Sequence, residues 1–545
     1  MKRRDFIKTT AVTGVSGIIG QGCSVLGKKY APMEVTAPNT GPGFDVHPFI
    51  KNHPDAVFIQ LTDVKKKTDA EDLRSAGQKL ATELIVKVSS GGYPYSTKIN
   101  VKPNWTSAGP KDGKPVIEKL GVCTDPYFVE GWVQGMRKTG PQDYYIRECC
   151  CPQQWEPMGW RAMCDRNNID LRDLTSMDYW ELKDGDLNFL KIPDGVVFDE
   201  VGYMAPMNEP DTFLVNIAKM KTHGKGVTAS IKNLQGITAR RFHSFCTGTH
   251  EVMKRMEKPY HKFFKKNFEK HVVELHDGHM KQGYPRWDNP GPASNRTALN
   301  IEQWCQRMLD SLSMTPTALN MVEGIYSQDG NGFGIGPHEK LGPYGVTSRD
   351  YMSNMVIFGR DPFRVDIITH WLAGHEPGNF GLFHIGMERG FSDVLDPRDI
   401  PVYVWKDGQP VLSTLDSFKR TPLLTYYLPK DFKGQNEPYF HLCNEPFDYT
   451  AWKKRINVSD RTPSIRTLGR DGSNNVVLEV AVPKRGDISV DVYNGNGNLV
   501  TRLAVPDLEP GVHQVVWDGI STSGLHHFHL NGMGWDAVTQ DMILS

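Results

Sequence analysis

The segment from Lys219 to Gly236, KMKTHGKGVTASIKNLQG, constrains the fold more than any other part of this 545-residue chain. The uncharged run before it, FLVNIA at 213–218, has the length and apolar character of a buried strand, and the apolar spacing within 227–234 predicts a helix after it. Residues 223–226 are therefore predicted to form the turn between the carboxyl end of a strand and the start of a helix. Ligands bind at this position in open α/β sheets, and glycines beside free helix-start N–H groups favour anions.

This turn and a second strand end, after the run 99–101, supply the candidate site. We predict His223 as an acid–base group or metal ligand, Lys232 as the group that binds an anion or attaches a cofactor, and Asn233 as a residue that orients its neighbours. The predicted substrate- or anion-binding residues are Lys102, Asn104, Lys219, Lys221, Gly224, Gly226 and Thr228. The alternative is purely structural, because glycine-rich turns are ordinary in α/β proteins and lysines usually lie on the surface. The segment also lacks the GxxxxGK[ST] pattern of a phosphate-binding loop.

Acidic residues further along the chain are weaker candidates. Glu323, Asp329 and His338 flank a glycine-rich loop and are candidates for the same cleft as His223, unless the loop is a plain connection. Asp361 precedes a proline at the start of an apolar helical pattern, so helix capping explains it fully. Asp366 lies inside that pattern and must be paired if it is buried.

The segment 219–236 resembles the signature of a bacterial and archaeal family catalogued as domain of unknown function 362. The runs VKPNW at 101–105, TDPYFVEGWVQGMRKTG at 124–140 and FGRDPFRVDIITHWLAG at 358–374 extend the resemblance in order. It covers residues from about 90 to 430. The resemblance implies an α/β fold, with a mixed or parallel sheet and helices on both faces, and implies little about chemistry.

A second resemblance concerns the cofactor. In nickel-pincer lactate racemases a histidine precedes, by about ten residues, the lysine that holds the cofactor, and here His223 and Lys232 are nine apart. The double glycine and the following Pro-Gly of that family are missing, so a metal or nickel-pincer cofactor is a possibility and the cofactor stays unassigned. Many relatives of the first family carry ferredoxin-like cysteine runs. No C-x₂-C-x₂-C-x₃-C run occurs here, which gives no support to an iron–sulfur cluster.

The cysteines and the N-terminus bear on cell location. Arg3-Arg4 and the uncharged stretch after them resemble a twin-arginine export signal over residues 1–28, which implies the twin-arginine translocation machinery as a partner and a periplasmic or cell-surface location. A basic N-terminus before a buried helix is the alternative. Cys23 is a candidate lipidation site, although Gly20 stands where the usual motif has leucine. In an oxidising compartment we expect a disulfide from the triplet 149–151 to Cys123 or Cys164.

The predicted organisation continues with an N-terminal extension at 29–89, the α/β domain at 90–455 and an all-β sandwich at 462–545. The sandwich is predicted from alternating strands and the hairpin signal NGNG at 494–497. With VYNGNGNLV and Trp517-Asp518-Gly519 it resembles the immunoglobulin-like domain of flagellar hook-capping proteins, which implies a spacer or surface-association role.

Composition narrows the function classes. Lys plus Arg and Asp plus Glu number 63 each, so nothing predicts a nucleic-acid partner. Three hypotheses remain for the exported protein. It is an enzyme that acts on a small anionic substrate, a non-enzymatic binding protein for an anionic glycan or small molecule, or a structural envelope protein. In an enzyme His223 and Lys232 should converge with a carboxylate in a closed pocket.

Overall fold

The computed structural model describes residues 32–35, 39–106, 121–176, 178–223, 226–243, 258–282, 284, 298–329, 340–341, 346–347, 349–423, 427–428, 439–440, 446–455, 463–483, 486–508, 511–519, 523–532 and 537–544. The predicted export signal, Cys23, Gly224 and His338 lie outside these residues. Among the described helices, none has the length and apolar character to cross a bilayer.

Helices and strands alternate through most of the chain before residue 456. The helices are α1 Pro48–Asn52, α2 Ala70–Leu84, α3 Pro126–Arg137, α4 Trp160–Arg166, α5 Ser230–Leu234, α6 Arg240–His243, α7 Lys258–His261, α8 Phe268–Gln282, α9 Ala298–Leu312, α10 Pro362–Leu372, α11 Gly381–Glu388 and α12 Tyr449–Arg455. The strands are β1 Gly43–Val46, β2 Val57–Leu61, β3 Ile85–Val88, β4 Tyr93–Pro94, β5 Lys98–Pro103, β6 Tyr144–Ile146, β7 Ile169–Leu171, β8 Leu187–Lys191, β9 Glu200–Met204, β10 Thr212–His223, β11 Gly226–Thr228, β12 Leu319–Gln328, β13 Lys340–Leu341, β14 Val346–Thr347, β15 Asp350–Gly359, β16 Val402–Lys406, β17 Gln409–Ser413, β18 Tyr427–Leu428 and β19 Tyr439–Phe440.

One large sheet organises this region. Its order is β17-β16-β2-β15-β12-β10-β5-β6-β7, with β11 paired to β10. The strands β12, β10, β5, β6 and β7 are parallel neighbours, whereas β15 is antiparallel to both of its neighbours. The predicted α/β class with a mixed sheet is confirmed.

Alternation along β10 explains how the sheet meets helices on opposite faces. Asn216 and Lys219 are three residues apart in a continuous register with β12, so their side chains point to opposite faces. Asn216 donates to the Ser230 carbonyl of α5 at 3.1 Å. On the other face, the Lys219 partner Glu323 accepts from the backbone N–H of Asp125, the residue that caps α3. A single buried strand therefore positions two helices.

Two of the aspartates that precede prolines cap α-helices. Asp125 accepts from the N–H groups of Tyr127 and Phe128, and Asp361 accepts from those of Phe363 and Arg364. Proline at the first helical position removes a donor that would lack a partner there. The predicted capping role of Asp361 is confirmed.

The turn after β10 differs from the prediction. β10 continues to His223 and pairs antiparallel with β11, so that His223 faces Gly226 and Thr222 faces Val227. The helix begins only at Ser230, and the expectation of a helix from 227 was wrong. The apolar spacing within 227–234 predicted a helix because Val227 is apolar and buried, but it is buried as a residue of strand β11.

The C-terminal strands form two antiparallel sheets around their own apolar core. These strands are β20 Ser464–Arg470, β21 Val476–Val482, β22 Gly486–Asn494, β23 Leu499–Leu508, β24 Gly511–Trp517, β25 Gly524–Gly532 and β26 Val538–Leu544. The sheets have the orders β20-β21-β24 and β23-β22-β25-β26. Alternate residues from both, including Leu478, Val490 and Phe528, share one buried cluster. The predicted β region is confirmed in this coarse form.

Candidate functional site

The carboxyl ends of four neighbouring strands bring charged side chains together inside the protein. In the order β6-β5-β10-β12 the strands are parallel, so residues that end or follow them meet at one edge. Lys102, Glu148, Lys219 and Glu323 are each at most 2 % exposed. Buried charges require partners, and the partners here belong to adjacent strands.

Lys102 is held by three acceptors. Its Nζ lies 2.5 Å from Glu148 Oε2, 2.6 Å from the Pro103 carbonyl oxygen and 3.1 Å from Asn233 Oδ1. Burial raises the pKa of Glu148 to about 8, against the opposing charge of Lys102. Glu148 was not among the predicted site residues. Its signal in the sequence was its place two residues after a buried strand and directly before three cysteines.

Asn233 links this pair to the rest of the site. Its Nδ2 donates to Asn216 Oδ1 at 2.7 Å and to the Lys102 carbonyl at 3.1 Å. Its Oδ1 accepts from Lys102 Nζ and, at 3.0 Å, from Asn104 Nδ2. All four hydrogen-bonding positions of the amide are therefore occupied. Asn233 holds its neighbours in place and has no hydrogen bond to spare for a ligand.

The segment after β5 offers two buried polar atoms to the site. Among the described residues, Asn104 Oδ1 and Trp105 Nε1 have no hydrogen-bond partner. The two side chains are 8 % and 4 % exposed. An acceptor and a donor buried in this way are costly unless something else binds them.

Lys219 and Glu323 form a second buried pair on the α3 face. Nζ lies 2.6 Å from Oε2, and it also lies 3.4 Å from the ring centroid of Tyr326. The Tyr326 hydroxyl donates to Asp125 Oδ2 at 2.6 Å. Burial raises the pKa of both Asp125 and Glu323. Each ammonium of Lys102 and Lys219 is offset by a carboxylate, which reduces the positive potential expected from these two lysines.

Lys221 and Lys232 both neighbour Thr228, which pairs with Lys221 in the register between β10 and β11. Lys221 is 1 % exposed and its Nζ donates to the Val122 carbonyl at 2.5 Å. Burial, together with a smaller effect of the Lys232 charge, lowers its pKa to about 7. Lys232 is half-buried on α5, with Nζ 3.3 Å from Thr228 Oγ1. A lysine with such a pKa can exchange a proton at neutral pH.

The helix start predicted to receive an anion is already capped by a protein side chain. Asp366 of α10 accepts from the N–H groups of Ser230 and Ile231 at 2.6 and 2.9 Å. Burial raises the pKa of this carboxyl to about 8 despite those bonds. The expectation that Asp366 is paired if buried is confirmed, and the Ser230 and Ile231 N–H groups, which were expected to be free for an anion, already have this acceptor. The His223 side chain lies outside what the structure describes.

The cysteine triplet lies beside Glu148. Cys149 Sγ is 3.3 Å and Cys150 Sγ 3.7 Å from Glu148 Oε1, which also accepts from the Cys149 N–H at 2.8 Å. The predicted disulfide is wrong for this structure, since Cys123, Cys164 and the triplet at 149–151 form no disulfide with one another. Burial raises the pKa of the Cys149 and Cys123 thiols, the latter to about 11.

The comparisons with known proteins agree with the sequence resemblance. The family model described as Domain of unknown function (DUF362) matches residues 99–370. This range runs from β5 through α10 and contains every paired charge described above. No curated protein matches the chain.

Proposed function

We propose, from the premise that residues 99–370 form a DUF362 domain, that this protein is an enzyme acting on a small anionic substrate at the carboxyl edge of the large sheet. The observation that carries the proposal is that Thr228, the register partner of Lys221 near the end of β10, also accepts from Lys232 Nζ at 3.3 Å. The position also agrees with the rule that ligands of α/β sheets bind beyond the carboxyl ends of parallel strands.

The two cations favour an anionic ligand. Each lowers the stability of the other's charged form, and an anion between them removes that repulsion. Asn104 Oδ1 and Trp105 Nε1 provide a buried acceptor and donor nearby in the same segment as Lys102. Thr228, which accepts from Lys232, lies on the strand that pairs with β10.

Proton transfer is the chemistry that we assign to this pair. Lys221, with its pKa near 7, is balanced between its neutral and charged forms at physiological pH, which is the condition for an effective general acid or base. Lys232 binds the anion or attaches a cofactor, and His223 at the end of β10 is the second proton carrier. Asn233 positions Lys102 without contacting substrate.

The test uses the full chain and small anions. We expect inorganic phosphate, oxalate or lactate to raise the melting temperature of the wild type, and Lys221→Met and Lys232→Met to abolish the effect. An anion concentration of about 100 times Kd stabilises the folded protein by about 2.7 kcal/mol. Lys98→Met is the matched control, because Lys98 begins the same strand as Lys102 but is exposed and bonded to Glu209. Equal responses in all variants would contradict the proposal.

A second assay separates an enzyme from a binding protein. In heavy water, an enzyme of this kind should introduce deuterium next to the carboxylate of lactate or malate, and Lys221→Met should not. Stabilisation by anions without exchange would favour the alternative, a binding protein for an anionic small molecule or glycan. The internal pairing of Lys102 and Lys219 is the observation that favours this alternative, since it leaves fewer groups for catalysis.

We extend the proposal to location and to the C-terminal region. Export by the twin-arginine machinery, with lipidation at Cys23 as an additional anchor, rests on the N-terminal sequence. The two antiparallel sheets around one core support an immunoglobulin-like sandwich for surface association. Arg3→Lys with Arg4→Lys should retain the protein in the cytoplasm, and unchanged fractionation of this variant would contradict the export proposal.

A further inference from the structure

Three possible metal-donor atoms lie close together just after the end of β6. The side chains of Glu148, Cys149 and Cys150 place one carboxylate oxygen and two sulfurs within 4.8 Å of one another. With Zn–S bonds of about 2.3 Å and a Zn–O bond of about 2.1 Å, a tetrahedral ion separates sulfur from oxygen by about 3.6 Å. The observed separations of 3.3 and 3.7 Å from Glu148 Oε1 bracket that distance. The donors already stand at coordination spacing.

The backbone explains why two successive cysteines face one point. β6 ends at Ile146, so the strand alternation that would separate their side chains no longer holds at 149 and 150. The Cys149 N–H donates to the Gly236 carbonyl at 3.1 Å, which fixes the chain there. A Cβ at Gly236 would lie 2.7 Å from Glu148 Oε1, so any other residue there would require Glu148 to shift.

The surroundings suit a metal ion with thiolate ligands. Two thiols, one carboxylate and the Lys102 ammonium sum to zero charge. Replacing the two thiol protons with one divalent cation leaves the sum unchanged, so the buried site remains neutral. The Trp105 ring centroid lies 5.0 and 4.6 Å from those of Trp155 and Trp160, and the Trp105 carbonyl accepts from Cys150 Sγ at 3.5 Å.

We propose that Glu148, Cys149 and Cys150 bind one thiophilic divalent metal ion, with Zn²⁺ as the type ion, and that the fourth coordination position is left to water or substrate. Three protein ligands with one open position are typical of catalytic rather than structural zinc sites. Lys102 is the outer partner that orients the carboxylate. This site does not depend on the proposed anion chemistry.

The test measures metal binding by the full chain and needs no activity. After chelation, Zn²⁺ titration should show one equivalent bound, and Co²⁺ should give a thiolate charge-transfer band in the near ultraviolet. Cys149→Ser and Cys150→Ser should each remove the band and weaken Zn²⁺ binding by more than about 100-fold, beyond the loss expected from an outer partner. Cys151→Ser is the matched control. It is the next residue and a free thiol, but its sulfur is outside the donor group.

Folding of the two serine variants is checked by thermal melting of the metal-free proteins. In that state each variant differs from the wild type only by the loss of the thiol's hydrogen bonds. Zn²⁺ should also protect the half-buried Cys150 thiol of the wild type from alkylation, a readout that needs no variant. The inference is overturned if the wild type binds no metal, or if metal binding survives in both Cys149→Ser and Cys150→Ser. Failure of the anion assays with intact metal binding would refute only the proposed activity.

Discussion

Replacing Lys219 with methionine tests what the buried Lys219–Glu323 pair contributes. Both side chains are fully buried with 2.6 Å between Nζ and Oε2. Methionine keeps most of the volume but removes the charge. Among the described residues, Glu323 then keeps the backbone N–H groups of Asp125 and Ile325 as donors. Removal of one partner from a buried pair costs about 3–5 kcal/mol, and we expect a loss of that size near pH 7.

The loss should depend on pH. Burial raises the pKa of Glu323 above its ordinary value of 4.5, and the charge of Lys219 opposes the rise. In Lys219→Met that opposition is gone, so the folded state binds a proton more tightly than the unfolded state. A folded-state pKa that is raised in this way makes stability fall as pH increases above the unfolded value. The deficit of the variant should therefore shrink near pH 5.

The assay is thermal melting near pH 5 and near pH 7, with hydrogen exchange of β10 and β12 to locate the effect. At about 2 °C per kcal/mol for a large domain, the variant should melt roughly 6–10 °C below the wild type near pH 7. Lys191→Met removes two ion pairs of an exposed lysine, with Asp199 and Glu200, and should change stability by less than about 1 kcal/mol. A variant that melts with the wild type, or a deficit that is equal at both pH values, would refute the reasoning.

Three further predictions follow from other buried groups. Burial lowers the pKa of His279, but hydrogen bonds to two glutamates outweigh it and raise the pKa to about 9. Protonated His279 should therefore contribute up to about 3 kcal/mol of stability below pH 6.5, and this contribution should be lost as pH rises towards 9. The melting temperature of His279→Gln should lack this pH dependence. Asp366→Ala should cost about 1–3 kcal/mol and speed hydrogen exchange at the start of α5, with Asp366→Asn intermediate. Gly236→Ala should cost about 1–3 kcal/mol and lower Zn²⁺ uptake, because its methyl group displaces Glu148; normal uptake would contradict that geometry.

Much of the fold could be predicted because local patterns agree with it. The apolar run at 213–218 is a central strand, and Asp361 with the following proline begins a helix. The turn after His223 could not be predicted, because Val227 fits a strand and a helix equally well and only pairing with Thr222 decides between them. Single-sequence periodicity contains no information about such pairing.

The site was predicted unevenly for the same reason. Lys102, Lys219 and Lys221 were selected as charged residues at strand ends, and the structure places all three inside the protein. Their partners could not be identified, since Glu148 and Glu323 are respectively 46 and 104 positions away along the chain from Lys102 and Lys219. The sequence predicts a disulfide for the cysteine triplet because it does not show where each thiol side chain points.

The saturated amide of Asn233 has a consequence for how this domain can change during evolution. Aspartate at position 233 would replace the donating NH₂ group with an oxygen that faces the Asn216 and Lys102 oxygens. Leucine at position 233 would leave all four hydrogen-bonding atoms without this partner. No single neighbouring substitution repairs either change. Among related sequences, asparagine at position 233 should therefore be kept wherever Lys102, Asn104 and Asn216 are kept.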